Sequence, residues 1–538
     1  MIHFIAAVIS TVSLNGEVPD DGSDYLLLDF EVPEGTVELE VQHSDGSDQN
    51  ILDWGLFDPS GFRGWGGGLE DPAVVGPESS RGYLAGEVEA GTWTLVVGKA
   101  LIETAPASYE VTIEFRDAAT LSPRERSADA GVVLRSEAAW YQGDFHVHSS
   151  ESGDATASLQ QIRDLAVERG LDFVALSDHN TSSQLGLMNA FQEGEDEFLF
   201  VASNEVTTYA GHGGALGMRD YVDHRVGVDG RSARAIIEEV AGAGGAFIVN
   251  HPNLDLGTAC IGCAWSHEDT PWDQVAGIEI HTGNYDYVPV FGRANLDLWD
   301  ELLDQGHRIT AVGGSDDHRA GQGEGPTQSP IGSPTTVVYA DALSEAAIVA
   351  AVRAGRVVVK LRSPDDPDVE LIAETELAEG MIGDELAGES IELEARIRGG
   401  QGTLLLLLEN GERVEEVVPV DSDDFVARWT RDIPDEGARY RVHLVEGTSE
   451  LVISNHIFAL FTEVEESGGC GCQSGGGSGL LVGLVALAWL LRRRPGLALG
   501  ALLLLMSSQA QADEERESWQ LGANLDLFTI TGSSGGGS

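Results

Sequence analysis

The sequence predicts a multidomain protein in which an α/β domain lies between two all-β sandwich domains. Three observations carry this reading. Strand-like and helix-like runs alternate from Trp140 to Leu361, which implies a parallel sheet, either a barrel or doubly wound. Short runs rich in Val, Leu, Thr and aromatic residues, broken by Pro and Gly, fill residues 14–116 and 364–463, a spacing that suggests sandwiches. At 538 residues the chain is also too long for one core.

Composition narrows the function classes. Hydrophobic content of 42% and aromatic content of 7% are ordinary for globular protein. The formal net charge of -58, from 89 acidic and 31 basic residues, is extreme. Such a surface repels nucleic acid and anionic lipid and suits an exported or high-salt protein. No nucleic-acid duplex is expected as a partner, because affinity there comes mainly from Lys and Arg on phosphates.

Residues 1–13 are apolar with no Lys or Arg, so a signal segment and an N-terminal strand both remain open. Strand-like runs follow at Tyr25–Phe30, Thr36–Val41, Thr92–Val97 and Tyr109–Phe115. Phe57-Asp58-Pro59-Ser60-Gly61 and Gly91-Thr92-Trp93-Thr94-Leu95 resemble the jelly-roll modules attached to secreted bacterial hydrolases (pre-peptidase C-terminal type). Residues 117–138 are charged, Ala-rich and aperiodic, and read as a linker.

The α/β domain spans residues 139–363. Ser158-Leu159-Gln160-Gln161 reads as a capping box that opens a helix stopped by Gly170. Strands are expected at Leu171–Leu176, Phe198–Ala202, Ala246–Val249, Gly277–Ile280, Ile309–Val312 and Val357–Leu361. Further helices fit Ser232–Ala243, Ala294–Asp304 and Ser344–Ala354. Residues 364–463 then return to strands in an immunoglobulin-like pattern.

Residues 464–494 read as an anchoring tail. Cys470-Gly471-Cys472, a Gly/Ser stretch and the apolar run Leu480–Leu491 precede Arg492-Arg493-Arg494. A basic cluster after an apolar run is a positive-inside signal, placing what precedes it outside the cytoplasm. The tail resembles the Cys-containing sorting tails of myxobacterial surface proteins, which implies a sorting protease or the membrane as partner and the cell surface or outer envelope as location. Residues 495–538 read as an unrelated extension, because Ala510-Gln511-Ala512 has the form of a second signal cleavage site.

Chemistry concentrates in the α/β domain. His146 and His148 stand at i and i+2 of a strand, so they leave the same face. Asp316 and His318 repeat that geometry, and Asp178-His179, Glu205, His212 and Asn250-His251 follow other predicted strands. Each has a bland account as a cap, a turn or a buried satisfied group. Together, at the C-terminal ends of parallel strands, they would gather on one open face as a metal cluster. Cys260-Ile261-Gly262-Cys263 reads as a redox pair, half a zinc site or a disulfide clamp.

His146-x-His148, Ser177-Asp178-His179-Asn180, Glu205 with His212, Asn250-His251-Pro252 and Ser315-Asp316-x-His318 together resemble the PHP (polymerase and histidinol phosphatase) superfamily. Asn204–Thr208 and Ile331–Tyr339 look like its CehA/McbA branch of metallohydrolases. The resemblance implies a distorted seven-stranded (β/α) barrel and two to three divalent transition-metal ions, Zn, Mn or Fe. It implies a first metal on His146, His148, Glu205 and Asp316, and a second on bridging Glu205 with His212 and His251. A third would take His179, His318 and an acidic residue after the H-x-H motif, for which Asp154 is favoured over Glu151. Asp178 and Asp317, beside ligands, are read as proton shuttles, or equally as structural turn residues. The implied activity is hydrolysis by a metal-bridged hydroxide of a small phosphoester, ester or carbamate. The rival reading is a non-catalytic surface-binding protein stabilised by metal.

Overall fold

A computed structural model describes residues 7–463, except 20, 47–48, 130, 286–288, 324–327 and 415–416. The expected anchoring tail and extension, 464–538, lie outside the described residues. Among the described residues no helix is long and apolar enough to cross a membrane.

The central domain is built on two sheets. In the first, Leu199–Ala202, Phe173–Leu176 and Ala139–Val147 run parallel in that order. Phe173–Leu176 and Leu199–Ala202 are buried throughout, which is why they read as unbroken apolar runs. Thr335–Ala340 then pairs antiparallel with Ala139–Val147, and Val357–Lys360 with Thr335–Ala340. The second sheet runs Glu205–Thr208, Gly211–Leu216, Ala246–Val249, Gly277–Thr282, Thr310–Gly314. Its first two pairings are antiparallel and its last two parallel.

The parallel sheet expected from the alternation is thus realised only in part, because the second sheet is mixed in direction. Glu205–Thr208 and Gly211–Leu216 are joined by Tyr209-Ala210 alone, and a two-residue loop permits only an antiparallel hairpin. The sheets meet at two seams, each marked by one parallel bridge, Val147 with Asp317 and His179 with Glu205. At one, the Asp316 N–H donates to His146 O (2.8 Å) and the His148 N–H to Asp317 O (3.0 Å). At the other, the Asn180 N–H donates to Glu205 O (3.0 Å) and the Glu205 N–H to Ser177 O (3.2 Å).

Helices pack outside the sheets. The capping box of Ser158 and Gln161 opens Leu159–Glu168 as expected, and Ser232 and Ser344 cap Ala233–Gly242 and Glu345–Arg353. The helix Ser183–Gln192 lacks a regular apolar period. Its buried face includes Gln184 and Gln192, and Gln192 bonds the backbone of Phe198 and Phe200 instead of packing as a hydrophobe.

The flanking domains are sandwiches. In the N-terminal one, Val8–Val18, Ala107–Arg116, Glu38–Ser44 and Ala73–Val75 face Tyr25–Val32, Gly91–Ile102, Asn50–Asp58 and Gly61–Gly67 across a core that includes Trp93, Leu56 and Phe115. Residues 8–13 are therefore strand, and the sandwich begins before residue 14. The linker is fastened: Arg124 and Arg126 pair with buried Glu78, and Val133–Arg135 pairs with Leu343–Ser344. The C-terminal sandwich is not a separate body, because its strand Ser449–Ser454 pairs with Val357–Lys360 and extends the first central sheet.

Candidate metal centre

All the predicted ligands meet at the seams between the two central sheets. Glu205, fully buried, is the hub. Its Oε1 lies 3.2 Å from His146 Nε2, 3.2 Å from His251 Nε2 and 3.5 Å from His212 Nδ1. Its Oε2 lies 2.9 Å from His179 Nδ1 and 3.5 Å from His148 Nε2. One oxygen therefore faces each half of the cluster. Asp316 Oδ1 stands 3.3 Å from His146 Nε2 and 3.2 Å from His148 Nε2. Asp154 Oδ2 stands 3.4 Å from His179 Nε2 and 3.2 Å from His318 Nε2, whereas Glu151 turns away to Arg124.

The backbone is bent to make this arrangement. His251, Asp316 and Asn180 have φ of 29°, 57° and 50°, in a region that non-glycine residues seldom enter. Such residues cost on the order of 1–3 kcal/mol each and persist where the surroundings over-determine them. Asn180 is held because its side chain donates to Thr207 O (2.8 Å) and accepts from the Thr207 N–H (2.8 Å).

Behind the inner atoms stands a second set of contacts. His146 Nδ1 is 2.9 Å from Glu279 Oε1, whose Oε2 accepts from the His251 N–H (2.9 Å) and Thr282 Oγ1 (2.6 Å). His148 Nδ1 meets Ser152 Oγ at 3.1 Å, and His318 Nδ1 meets Asp316 O at 2.8 Å. Cys260 and Cys263 form a disulfide, and its loop turns two carbonyls inward: Ile261 O to His212 Nε2 (3.3 Å) and Cys263 O to His251 Nδ1 (3.2 Å). Cys263 lies close enough to His212 and His251 to group with them, but its sulfur is committed to Cys260 and leaves no thiolate to bind a metal.

Asp178 and Asp317 do not sit as acid–base groups would. Asp178 Oδ1 accepts from the N–H groups of Ser149 (2.7 Å) and Ser152 (3.2 Å). Asp317 accepts from the N–H groups of Arg319 (2.7 Å), Gly321 (2.6 Å) and Ile331 (3.1 Å). Neither lines the cavity, so the shuttle reading gives way to the structural one: each carboxylate is used up bracing a ligand-bearing loop. Sequence reasoning missed Glu279 and Asp144. Asp144 accepts from the N–H groups of His146, Ser315 and Gly332, and burial pushes its carboxyl up to about 6. The available signal was a lone acid inside a buried strand, as in Gly277-Ile278-Glu279-Ile280.

The inner atoms fit cations. His146 Nε2, His148 Nε2 and Glu205 Oε2 are buried and crowd their polar neighbours without completing a well-directed hydrogen bond. Unpartnered buried polar atoms are costly in a protein alone, and their convergence is resolved by a positive charge at the centre. Burial, then the imidazoles of His318 and His179, push the His148 pKa down to about 3, which keeps its ring neutral as a ligand must be. Burial opposes ionisation of Glu205, yet His146 and His179 hold its carboxyl well below the usual range. Mutually close donors form the groups His146–His148–Asp316, His146–Glu205–His251 and His148–His179–His318. The cluster opens on a cavity of about 690 Å³.

No family model matches the sequence, and no curated protein matches it. Among solved structures, a two-domain protein containing a predicted PHP-like metal-dependent phosphoesterase from Bacteroides vulgatus is similar at 16% identity, over 63% of this chain and 100% of that one, with a TM-score of 0.34. The CARDB domain of a Pyrococcus furiosus protein aligns over 18% of this chain and 96% of its own, at 12% identity and a TM-score of 0.13. A calcium-binding mutant of Bacteroides uniformis beta-glucuronidase 2 aligns over 84% of this chain and 60% of its own, at 12% identity and a TM-score of 0.18. At these TM-scores the functional reading rests on the site. Fold and site together define a β-rich multidomain protein with a buried His/Asp/Glu cluster suited to divalent metals.

Proposed function

We propose that this protein is a metal-dependent hydrolase of the PHP type that cleaves a small ester-type substrate, a phosphoester or a carboxylic or carbamic ester. The observation that carries the reading is Glu205, buried among imidazoles with an oxygen facing each half of the cluster. His146, His148, Glu205 and Asp316 would hold one ion, Glu205, His212 and His251 a second, and His179, His318 and Asp154 a third. Zn, Mn and Fe all suit such mixed imidazole and carboxylate donors. Divalent ions held there would supply an activated water near neutral pH and offset charge in the transition state. The chain's own part is positional. Glu279 fixes the outer nitrogen of His146, the disulfide loop fixes those of His212 and His251, and Asp178 and Asp317 fix the loops. We place the protein outside the cytoplasm, at the cell surface; the acidic composition and a disulfide, which persists in oxidising compartments, support this.

A panel of phosphomonoesters, phosphodiesters, carboxyl esters and aryl carbamates, run with Mn and with Zn, tests the activity. At least one class should be cleaved, with activity lost on chelation and in His146→Ala and Asp316→Ala. A folded, metal-loaded protein inert on all four classes would favour the non-catalytic surface-binding alternative.

A further inference from the structure

The N-terminal sandwich is docked firmly at the mouth of the metal cluster. Phe62 stacks on Tyr221 at 3.6 Å with an interplanar angle of 2°, and Trp65 packs edge-on against His224 at 4.4 Å. The Thr181 hydroxyl donates to Gly82 O (2.9 Å), and Arg81 to Ala155 O (3.1 Å). At the closest approach the backbones almost touch: a Cβ at Gly153 would come within 2.6 Å of Gly66 O. The result is one cavity with two walls. His179, Glu205 and Asp316 line it from the central domain, and Asp53, Trp65 and Leu69 from the sandwich.

Asp53 is the polar group of that second wall. Its strand breaks register against Gly91–Ile102 between Ile51 and Asp53, and bulges of this kind re-aim side chains beside active sites. Asp53 Oδ2 accepts from the Tyr209 hydroxyl at 2.7 Å, and no described residue donates to Oδ1. Glycines keep that oxygen uncovered, since a Cβ at Gly68 would lie 3.5 Å from it. The lining acids Asp154, Glu205 and Asp316 are directed at the cluster, and Arg319 is the only Lys or Arg among the described lining residues. Of the lining acids Asp53 alone is not directed at the cluster; burial pushes its carboxyl up to about 6 against the Tyr209 hydrogen bond, so above that pH Oδ1 offers a negative acceptor to the cavity.

We propose that the N-terminal sandwich is the specificity wall of the metal centre, with Asp53 Oδ1 receiving an N–H donor, neutral or cationic, on the non-reacting part of the substrate. The substrate is then an ester whose remote part places a hydrogen-bond donor on an apolar or aromatic frame, the frame lying against Trp65 and Leu69. This rests on the hydrolase reading for the word substrate, while the binding itself does not depend on turnover.

Two non-hydrolysable probes test it on the full, Mn-loaded chain by calorimetry: 4-(aminomethyl)phenylphosphonate and 4-methylphenylphosphonate. The amine should bind about tenfold or more tightly, as expected of a hydrogen bond to a charged group. Asp53→Asn should bring the two within about twofold, Tyr209→Phe should keep the preference, and Gly68→Val should reduce it by covering Oδ1. Equal affinities in the unaltered protein, or no binding of either probe, would overturn the proposal. So would equal weakening of both probes by Asp53→Asn and Tyr209→Phe, which would make Asp53 only a tie between domains. A preserved preference without turnover on any ester would leave the wall standing and remove the hydrolase reading alone.

Discussion

Glu279 shows how one residue can govern a site without entering it. Its carboxylate touches His146 Nδ1, the His251 N–H and the Thr282 hydroxyl, so it sets the orientation of two ligands that face the same oxygen of Glu205. Replacing such a partner typically costs ten- to a hundredfold in metal affinity or activity. Glu279→Gln keeps the shape and removes the charge, and it should lower metal affinity by about that factor with little change in melting temperature, as read by competitive chelation and calorimetry. At this scale the sequence was most legible where chemistry demands paired ligands. His146/His148 and Asp316/His318 announce themselves by i, i+2 spacing, and Asp154 by falling near the expected slot. Glu279 and Asp144 did not stand out, because a single acid in an apolar run looks the same whether it braces a ligand or caps a turn. Asp178 and Asp317 misled for the converse reason: adjacency to a histidine along the chain says nothing about which way the carboxylate points, and both point at backbone N–H groups.

Among the elements, the loop closed by Cys260 and Cys263 stands out. It sends the carbonyls of Ile261 and Cys263 to the outer nitrogens of His212 and His251, and Ile261 itself lines the cavity. The double change Cys260→Ser, Cys263→Ser should therefore weaken one class of metal site and leave the others near their original affinity, observable as a biphasic metal titration. A uniform loss would point to general unfolding instead. The hairpin Glu205–Thr208/Gly211–Leu216 was the element least visible beforehand. Its strands are short and Gly-rich, Gly211-His212-Gly213-Gly214 lacks any apolar period, and burial comes from the neighbouring Phe247 and Trp265 rings packing on bare backbone. Ser183–Gln192 escaped for a related reason, with buried glutamines where a helix pattern expects hydrophobes.

For the whole molecule, domain boundaries drawn from composition understate how far the domains share structure. The first central sheet continues through Val357–Lys360 into Ser449–Ser454, and Asn455 accepts from the Ala311 N–H (2.8 Å) while donating to Ala311 O and Val357 O. A chain cut after Leu361 would leave Val357–Lys360 as a bare apolar edge, the kind that pairs with other chains. The fragment 139–361 should accordingly aggregate on size-exclusion chromatography where the full chain does not; a monodisperse, metal-binding fragment would show that the C-terminal sandwich is dispensable. The alternation of strands and helices does not carry the mixed strand directions of the central sheets, because loop length at Tyr209-Ala210 decides direction and periodicity does not.

The central claim is that the seams between the two sheets hold divalent ions. Mass-spectrometric metal analysis of the purified full chain, after dialysis against metal-free buffer, tests it most directly. The ligand groups predict two to three tightly held transition-metal ions per chain, falling in His146→Ala and Asp316→Ala. A folded protein that retains none, and takes up none when Zn or Mn is supplied, would contradict it.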